Sequence, residues 1–168
     1  MKKNLKPIAA MILFAVFCVC ACKKGEKGEQ GPTGNADVTM FTFENKTFTN
    51  TLALEIPISK NRVDSSLVLV YYCPSTEAAS SWYPIPGIGS SGTYNTRYNL
   101  YQPQTQTQPS KYRLDIRTLN MAGTAYGYAV TFTKIKVIFA PASSISALSN
   151  LNEIKNDYYL AEKQFNIK

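Results

Sequence analysis

Apolar and polar residues alternate along several short stretches of this chain, and this alternation restricts the fold more than any other feature. Between Leu52 and Ile58 every second side chain is apolar, and the same period recurs from Tyr94 to Leu100 and from Tyr112 to Ile116. A period of two places alternate side chains on opposite faces of a β-strand. Each stretch therefore predicts a strand with one buried face.

Two further stretches predict strands with special features. Leu67 to Cys73 is apolar at every position, which is typical of a central strand covered on both faces. The apolar side chains from residue 126 onward fall first at even and then at odd positions: Tyr126, Tyr128, Val130 and Phe132, followed by Ile135, Val137 and Phe139. A shift of one residue moves side chains to the other face, so we expect a β-bulge or a break near Thr133 or Lys134.

Turn-forming residues cluster between these stretches, at 74–76, 84–92, 103–109 and 120–123. Strands at this spacing, without helix patterns between them, predict a mainly β fold over residues 37–168. The fold class expected is an antiparallel β-sandwich, immunoglobulin-like or similar. Asn150 and Glu153 fit a capping box, and Leu151, Ile154 and Tyr158 have helical spacing. We therefore expect a short C-terminal helix at the edge of the sandwich.

The first residues have the organisation of a secretory signal. Lys2, Lys3 and Lys6 precede an uncharged apolar run from Ile8 to Val19. This run is shorter than the roughly 20 residues that a membrane-spanning helix needs, and a strongly polar sequence begins at Lys23. Residues 1–21 are therefore predicted to be a cleaved signal peptide.

Three cysteines follow this apolar run, and the residue before each one indicates where cleavage occurs. Signal peptidases require a small residue beside the cut. Cys18 and Cys20 each follow a bulky residue, whereas Cys22 follows Ala21. The segment from Val19 to Cys22 resembles the bacterial lipobox. The resemblance implies cleavage after Ala21 and a diacylglycerol thioether on Cys22, which would be the link of the protein to membrane lipid.

Glycine occupies every third position from Gly25 to Gly34, which is the collagen Gly-x-y period. A triple helix needs three chains and many triplets, because each triplet contributes little and only glycine fits at the axis. This stretch has three full triplets and one proline. We therefore interpret residues 22–36 as the lipidated cysteine and an extended tether, whose Gly-x-y part spans about 30 Å at roughly 3.1 Å per residue.

The lipobox, the Gly-x-y triplets and the alternating residues after Asp37 together resemble the collagen-like-repeat lipoproteins of Gram-negative bacteria. Segments similar to Val70-Tyr71-Tyr72 and Trp82-Tyr83-Pro84-Ile85-Pro86-Gly87, and a closing helix with a Tyr-Tyr pair, add to the resemblance. It implies a β-rich domain in the cell envelope, lipid-anchored at the outer membrane, with the periplasmic or the surface side left open. It implies no catalytic residues.

Catalytic chemistry finds little support in the sequence. The chain has no histidine, which excludes the usual Ser-His and Cys-His pairs and the commonest metal ligand. Gly87 to Gly92 matches the GxGxxG dinucleotide motif, but prolines precede it and a strand pattern rather than a helix follows. Cys73 ends a buried strand and is interpreted as a core residue. We predict no enzyme, no cofactor and no metal site.

The net charge of +7 does not indicate a nucleic-acid partner. Removal of residues 1–21 takes three of the 18 basic residues and leaves 15 against 11 acidic ones, a balance of +4. Lys23, Lys24 and Lys27 lie beside the predicted anchor, where they favour anionic headgroups. No longer basic run or basic helix follows, so nucleic-acid binding is not expected.

Aromatic residues crowd the stretch from Trp82 to Tyr101, together with asparagines, glutamines and one arginine. Rings beside amides and arginine can stack on and hydrogen-bond a sugar or a peptide, which makes Trp82, Tyr83, Arg97 and Tyr101 candidates for ligand binding. The alternative is that most of these rings belong to the core, since Tyr94 and Tyr98 fall on the apolar face of a strand.

Two functions therefore remain open. The first is a membrane-anchored envelope lipoprotein with a non-catalytic structural or interaction domain. The second is a lipoprotein that recognises a glycan or peptide through an exposed aromatic patch.

Overall fold

Two four-stranded antiparallel sheets dominate the computed structural model, which describes residues 37–104, 111–146 and 148–167. They pack face to face, which confirms the predicted antiparallel β-sandwich, and short helices follow at its C-terminal end. The predicted signal peptide, the cleavage site at Ala21, the lipidated Cys22 and the tether lie outside the described residues.

The elements are β1 (Thr39–Thr49), β2 (Thr51–Ile56), α1 (Lys60–Asp64), β3 (Ser66–Pro74), β4 (Tyr83–Ile85), β5 (Gly87–Gly89), β6 (Tyr94–Tyr101), β7 (Tyr112–Leu119), β8 (Ala129–Pro141), α2 (Ala142–Ile145), α3 (Leu151–Asn156) and α4 (Tyr158–Phe165). One sheet has the order β1-β8-β3-β4, and the other has the order β2-β7-β6-β5. We name the first the covered sheet, because α3 and α4 pack on its outer face. The second is the open sheet, because most outward side chains of its described strands are exposed.

The main core lies between the two sheets. Inward side chains such as Val70 of β3, Leu114 of β7 and Phe139 of β8 are buried there. Leu69 and Tyr71 point the other way and pack against the apolar sides of α3 and α4. β3 is therefore a central strand buried on both faces, as its continuous apolar sequence predicts.

The predicted shift of phase near Thr133 is present. Cys73 of β3 pairs with Lys134 of β8, and the next residue, Pro74, pairs with Phe132. Thr133 therefore has no pairing partner in β3 and forms a β-bulge. Phe132 and Ile135 are consequently both fully buried in the core, although an uninterrupted strand would place them on opposite faces.

Two predictions for the strands are wrong in detail. The turn-forming residues at 84–92 predict a loop, but the structure has the short strands β4 and β5 at 83–85 and 87–89, which are joined by Pro86 and belong to different sheets. The alternation predicts that Tyr128 lies on the apolar face of a strand. β8 begins only at Ala129, and Tyr128 is 71% exposed.

The C-terminal region also differs from its prediction. Two short helices replace the single one, and they cover a face of the sandwich rather than its edge. The side chain of Asn150 makes no capping hydrogen bond, whereas Asp157 ends α3 and caps α4 by accepting from the backbone N–H groups of Tyr159 and Leu160. In the parts of the chain that are described, no helix has the length and apolar character needed to cross a membrane.

Candidate functional site

The ligand-binding candidates derived from the sequence lie on different surfaces. The ring of Trp82 packs on the outer face of the covered sheet. Tyr83 in β4 packs against the core between the sheets, and its hydroxyl donates to Glu77 Oε2 at 2.7 Å. Arg97 and Tyr101 lie on the outward face of β6. Trp82, Tyr83 and Tyr101 are each partly buried, and only Arg97 and Tyr101 share a surface.

Trp82 covers a buried lysine. Its ring stacks on Tyr158 with centroids 4.2 Å apart, and Lys136 Nζ lies 5.6 Å from the Trp82 ring and 4.8 Å from the Tyr158 ring. Lys136 donates to the Tyr158 hydroxyl, which in turn donates to Glu162 Oε1 at 2.7 Å. Burial lowers the pKa of Lys136, while nearby Glu162 opposes that shift. Trp82 therefore shields the junction between the covered sheet and α4.

A cleft of ≈ 420 Å³ opens at one end of the sandwich, and we name it the tyrosine cleft. It lies between the end of β3, the turn before β6 and the start of β8. Tyr94 and Tyr126 form its aromatic wall, with ring centroids 5.2 Å apart. Exposed Tyr128 lies outside the lining, and its ring is 5.4 Å from that of Tyr126. The wall therefore offers the partly buried ring of Tyr126, which is supported by buried Tyr94.

Polar groups face the same cleft. Thr76 Oγ1 and Ser90 Oγ are 3.2 Å apart, and Glu77 supplies a carboxylate. Glu77 Oε2 accepts from Tyr83, whereas Glu77 Oε1 is buried and has no hydrogen-bond partner among the described residues. No lysine or arginine is among the described residues that line the cleft. A carboxylate, hydroxyls and aromatic rings together suit hydrogen bonding and stacking with a neutral or cationic ligand.

Tyr72 supports the cleft from the core side. Its ring stacks on Phe132 at 4.1 Å and lies 6.4 Å from that of Tyr94. Burial raises the pKa of the Tyr72 phenol strongly, and its hydroxyl lacks a hydrogen-bond partner of normal geometry in the described ranges. A Cβ at Gly89 would lie 1.6 Å from this hydroxyl oxygen. Glycine at position 89 therefore allows the covered and open sheets to approach each other here.

The outward face of the open sheet carries a basic surface. Arg97 of β6 lies directly opposite Arg117 of β7. Asp115 is nearby, but its carboxylate accepts from Arg113 Nε at 2.7 Å and from the Tyr101 hydroxyl at 3.1 Å. Among the residues that the structure describes, Arg97 and Arg117 have no ion-pair partner. Like charges directly opposite each other in a sheet are destabilising. An anionic group beside this pair would therefore reduce the repulsion between the two arginines.

One long side of the sandwich is only half closed. β4 pairs with Val70–Tyr72 of β3, and β5 pairs with Tyr94–Thr96 of β6. The rest of both edges has no strand partner within the described ranges, at residues 66–69 and 73–74 of β3 and 97–101 of β6. Two adjoining depressions of ≈ 380 and ≈ 630 Å³ lie along this side, which we name the edge groove.

Other chemistry is sparse in the described residues. Cys73 is 1% exposed and is a core residue, as its position at the end of a buried strand predicts. No group of three or more cysteine, aspartate or glutamate residues that could hold a metal ion occurs in the described ranges.

Sequence reasoning missed the tyrosine cleft because its walls come from three separate segments, around residues 74–77, 90–94 and 126–131. Periodicity describes each segment alone and does not show that they meet. The glycine between Tyr126 and Tyr128 was an available signal. Gly127 has a φ of +84°, which suits a turn rather than the strand that alternation predicts.

Comparisons of the chain with protein-family models, with curated proteins and with solved structures found no match.

Proposed function

We propose that this protein is a lipid-anchored cell-envelope lipoprotein whose β-sandwich is a non-catalytic structural or interaction domain. The observation that carries the anchor is the Ala21-Cys22 junction, which follows an apolar signal run and completes a lipobox-like segment. Two or more acyl chains on Cys22 hold a protein stably on a bilayer, at about 0.8 kcal/mol for each buried methylene. The outer membrane is the location that the resemblance to Gram-negative lipoproteins favours.

Metabolic labelling with an alkyne fatty acid tests the anchor. The parent chain should incorporate the label and partition into detergent, whereas Cys22→Ala should do neither and should keep its signal peptide. Cys20→Ala is the matched control, because it removes a cysteine two positions away without changing the proposed cleavage site. Equal labelling of the parent and Cys22→Ala would contradict the proposal.

The interaction role is supported by the surface of the domain rather than by a reactive centre. The edge groove and the basic face of the open sheet expose unpaired strand edges and the Arg97–Arg117 pair among the described residues. Unpaired strand edges and opposed like charges both destabilise a sheet unless a partner or water hydrogen-bonds the edge and offsets the charges. The absence of histidine from the sequence removes the commonest general base.

A second candidate function is recognition of a glycan or peptide in the tyrosine cleft. It is favoured by the partly buried ring of Tyr126, which lines the cleft together with hydroxyl groups and the Glu77 carboxylate. Sugars and peptides are commonly held by such a combination of a stacking ring and a few polar groups. The residues that carry this version are Tyr94, Tyr126 and Glu77, and Tyr83 is the sequence-derived candidate that contacts Glu77.

A glycan array probed with the full chain in detergent tests this second function. Tyr126→Ala should abolish binding to any glycan that the parent protein retains, because it removes the stacking ring on the solvent side of the cleft. Tyr159→Ala removes an exposed tyrosine on α4 and should leave binding unchanged. Equal loss in both variants, or loss in neither, would argue against the cleft.

A further inference from the structure

The edge of β6 between Arg97 and Tyr101 combines three properties that point to one kind of partner. We propose that an extended peptide with alternating apolar and acidic side chains binds there and adds a strand to the open sheet. This inference rests on the interaction role proposed above and specifies the chemistry of the partner.

The first property is an unsatisfied backbone. Beyond Thr96, β6 keeps β7 on one side, whereas its other side has no strand partner in the described part of the chain. The free stretch has five residues, 97–101, which is close to the usual length of a strand. It contains no proline or glycine. Such an edge presents a row of N–H and C=O groups that can pair with an incoming strand.

The second property is the apolar side of the edge groove. Tyr98 and Leu100 are partly buried on the inner side of β6, and Val68 of β3 and Pro86 lie across the groove from them. The Tyr98 hydroxyl donates to the Val68 carbonyl at 3.4 Å, which bridges the two free edges. Every second side chain of an added strand would point into this groove. Those positions of the partner should therefore be apolar.

The third property is charge on the outer side of the same stretch. The remaining side chains of the added strand would lie beside Arg97, Asn99 and Tyr101 on the outer face. Arg97 already faces Arg117 and has no ion-pair partner among the described residues. An acidic side chain next to Arg97 would form a favourable cross-strand pair and reduce the repulsion between the arginines.

A second copy of this chain fits the edge less well. Two copies joined at β6 would bring two Arg97–Arg117 pairs to one continuous sheet, which would increase the number of like charges. The positive charge of this surface therefore favours binding of an acidic peptide over association of two copies of the chain.

Fluorescence anisotropy with the full chain in detergent measures the charge preference. The probes are two labelled, acetylated peptides that repeat Val-Glu or Val-Lys. The parent protein should bind the Val-Glu peptide and should bind the Val-Lys peptide at least about tenfold more weakly. Arg97→Glu should weaken binding of the Val-Glu peptide about tenfold and strengthen binding of the Val-Lys peptide. Lys163→Glu, which makes the same charge change on exposed α4, should alter neither affinity.

Two further measurements test strand addition itself. N-methylation of every second peptide bond removes the donors on one edge of the peptide. Of the two alternative methylation patterns, one should abolish binding and the other should preserve it, because a strand pairs through one edge only. Amide hydrogen exchange at residues 97–101 should slow in the presence of the Val-Glu peptide.

Several results would overturn the inference: no binding of the Val-Glu peptide, equal affinity for both peptides, an unchanged affinity in Arg97→Glu, or protection from exchange elsewhere. Loss of peptide binding in Tyr126→Ala but not in Arg97→Glu would assign the peptide to the tyrosine cleft and overturn it as well. Each of these results is independent of fatty-acid labelling at Cys22, so the proposed anchor stands or falls separately.

Discussion

The covered sheet and the open sheet both pack one face against the same core, but they differ in what happens on the other face. Outward residues of β3 and β8, such as Leu69 and Ile138, are buried beneath α3 and α4. Outward residues of β6 and β7, such as Arg97 and Arg117, are exposed. A sheet face without a covering layer needs side chains that water can solvate. The outer face of the covered sheet therefore adds to stability, whereas most of the outer face of the open sheet stays exposed.

The largest expected effect tests the covered face directly. Leu69→Ala should lower the free energy of unfolding by about 2–5 kcal/mol, because it removes buried methyl groups and leaves a cavity under the helices. Urea denaturation followed by circular dichroism measures the change. The total free energy of unfolding of such domains is only about 5–15 kcal/mol, so the change should be easy to detect. A urea denaturation curve equal to that of the parent would mean that α3 and α4 do not cover β3.

A smaller effect is expected where the covered sheet meets the open sheet. Gly89→Ala should destabilise the protein by about 1–3 kcal/mol, because the added Cβ overlaps the Tyr72 hydroxyl. Removal of that hydroxyl by Tyr72→Phe should recover part of the loss in the double variant. Additive effects of the two substitutions, measured by thermal unfolding, would show that the sheets are not in contact through this pair.

The pH dependence of stability should differ between the parent and Lys136→Met. Burial on the covered face lowers the pKa of Lys136 below its ordinary value of 10.5. The unfolded state then binds more protons, so this lysine makes stability rise with pH from the lowered pKa up to 10.5. The stability of the parent relative to the variant should therefore increase toward alkaline pH.

Thermal unfolding at several pH values checks this difference. The buried phenols Tyr71 and Tyr72 have raised pKa values, so the folded state keeps their protons longer and stability is lost above pH 10. That loss occurs in both proteins and cancels in the comparison. Parallel curves for the parent and Lys136→Met would show that the amine is not held in a buried environment.

The smallest effect is expected on the open face. Arg117→Ala should change stability by no more than about 0.5 kcal/mol, in the direction of higher stability, because it removes one member of the Arg97–Arg117 pair. The difference from the parent should shrink as salt is added, since salt screens exposed charges. A large loss of stability in Arg117→Ala would mean that this face is covered rather than open.

Much of the fold could be predicted because burial leaves a local pattern in the sequence. β6 and β7 follow from alternation, and β3 follows from an unbroken apolar run. The bulge at Thr133 follows from a change of phase. The strands β4 and β5 could not be predicted, because they have three residues each and contain prolines and glycines that are typical of loops.

The sequence by itself determined the longer strands β3, β6 and β7, the two-faced burial of β3 and the candidates for an anchor, because each depends on neighbouring residues or on residue type. Only the tertiary structure decided which side chains share a surface. It separated Trp82 and Tyr83 from Arg97 and Tyr101 and joined Glu77 to Tyr94 and Tyr126. It also left residues 97–101 of β6 without a strand partner on one edge among the residues that the structure describes. These relations depend on strand order and register between segments distant in the chain, which periodicity within one segment does not encode.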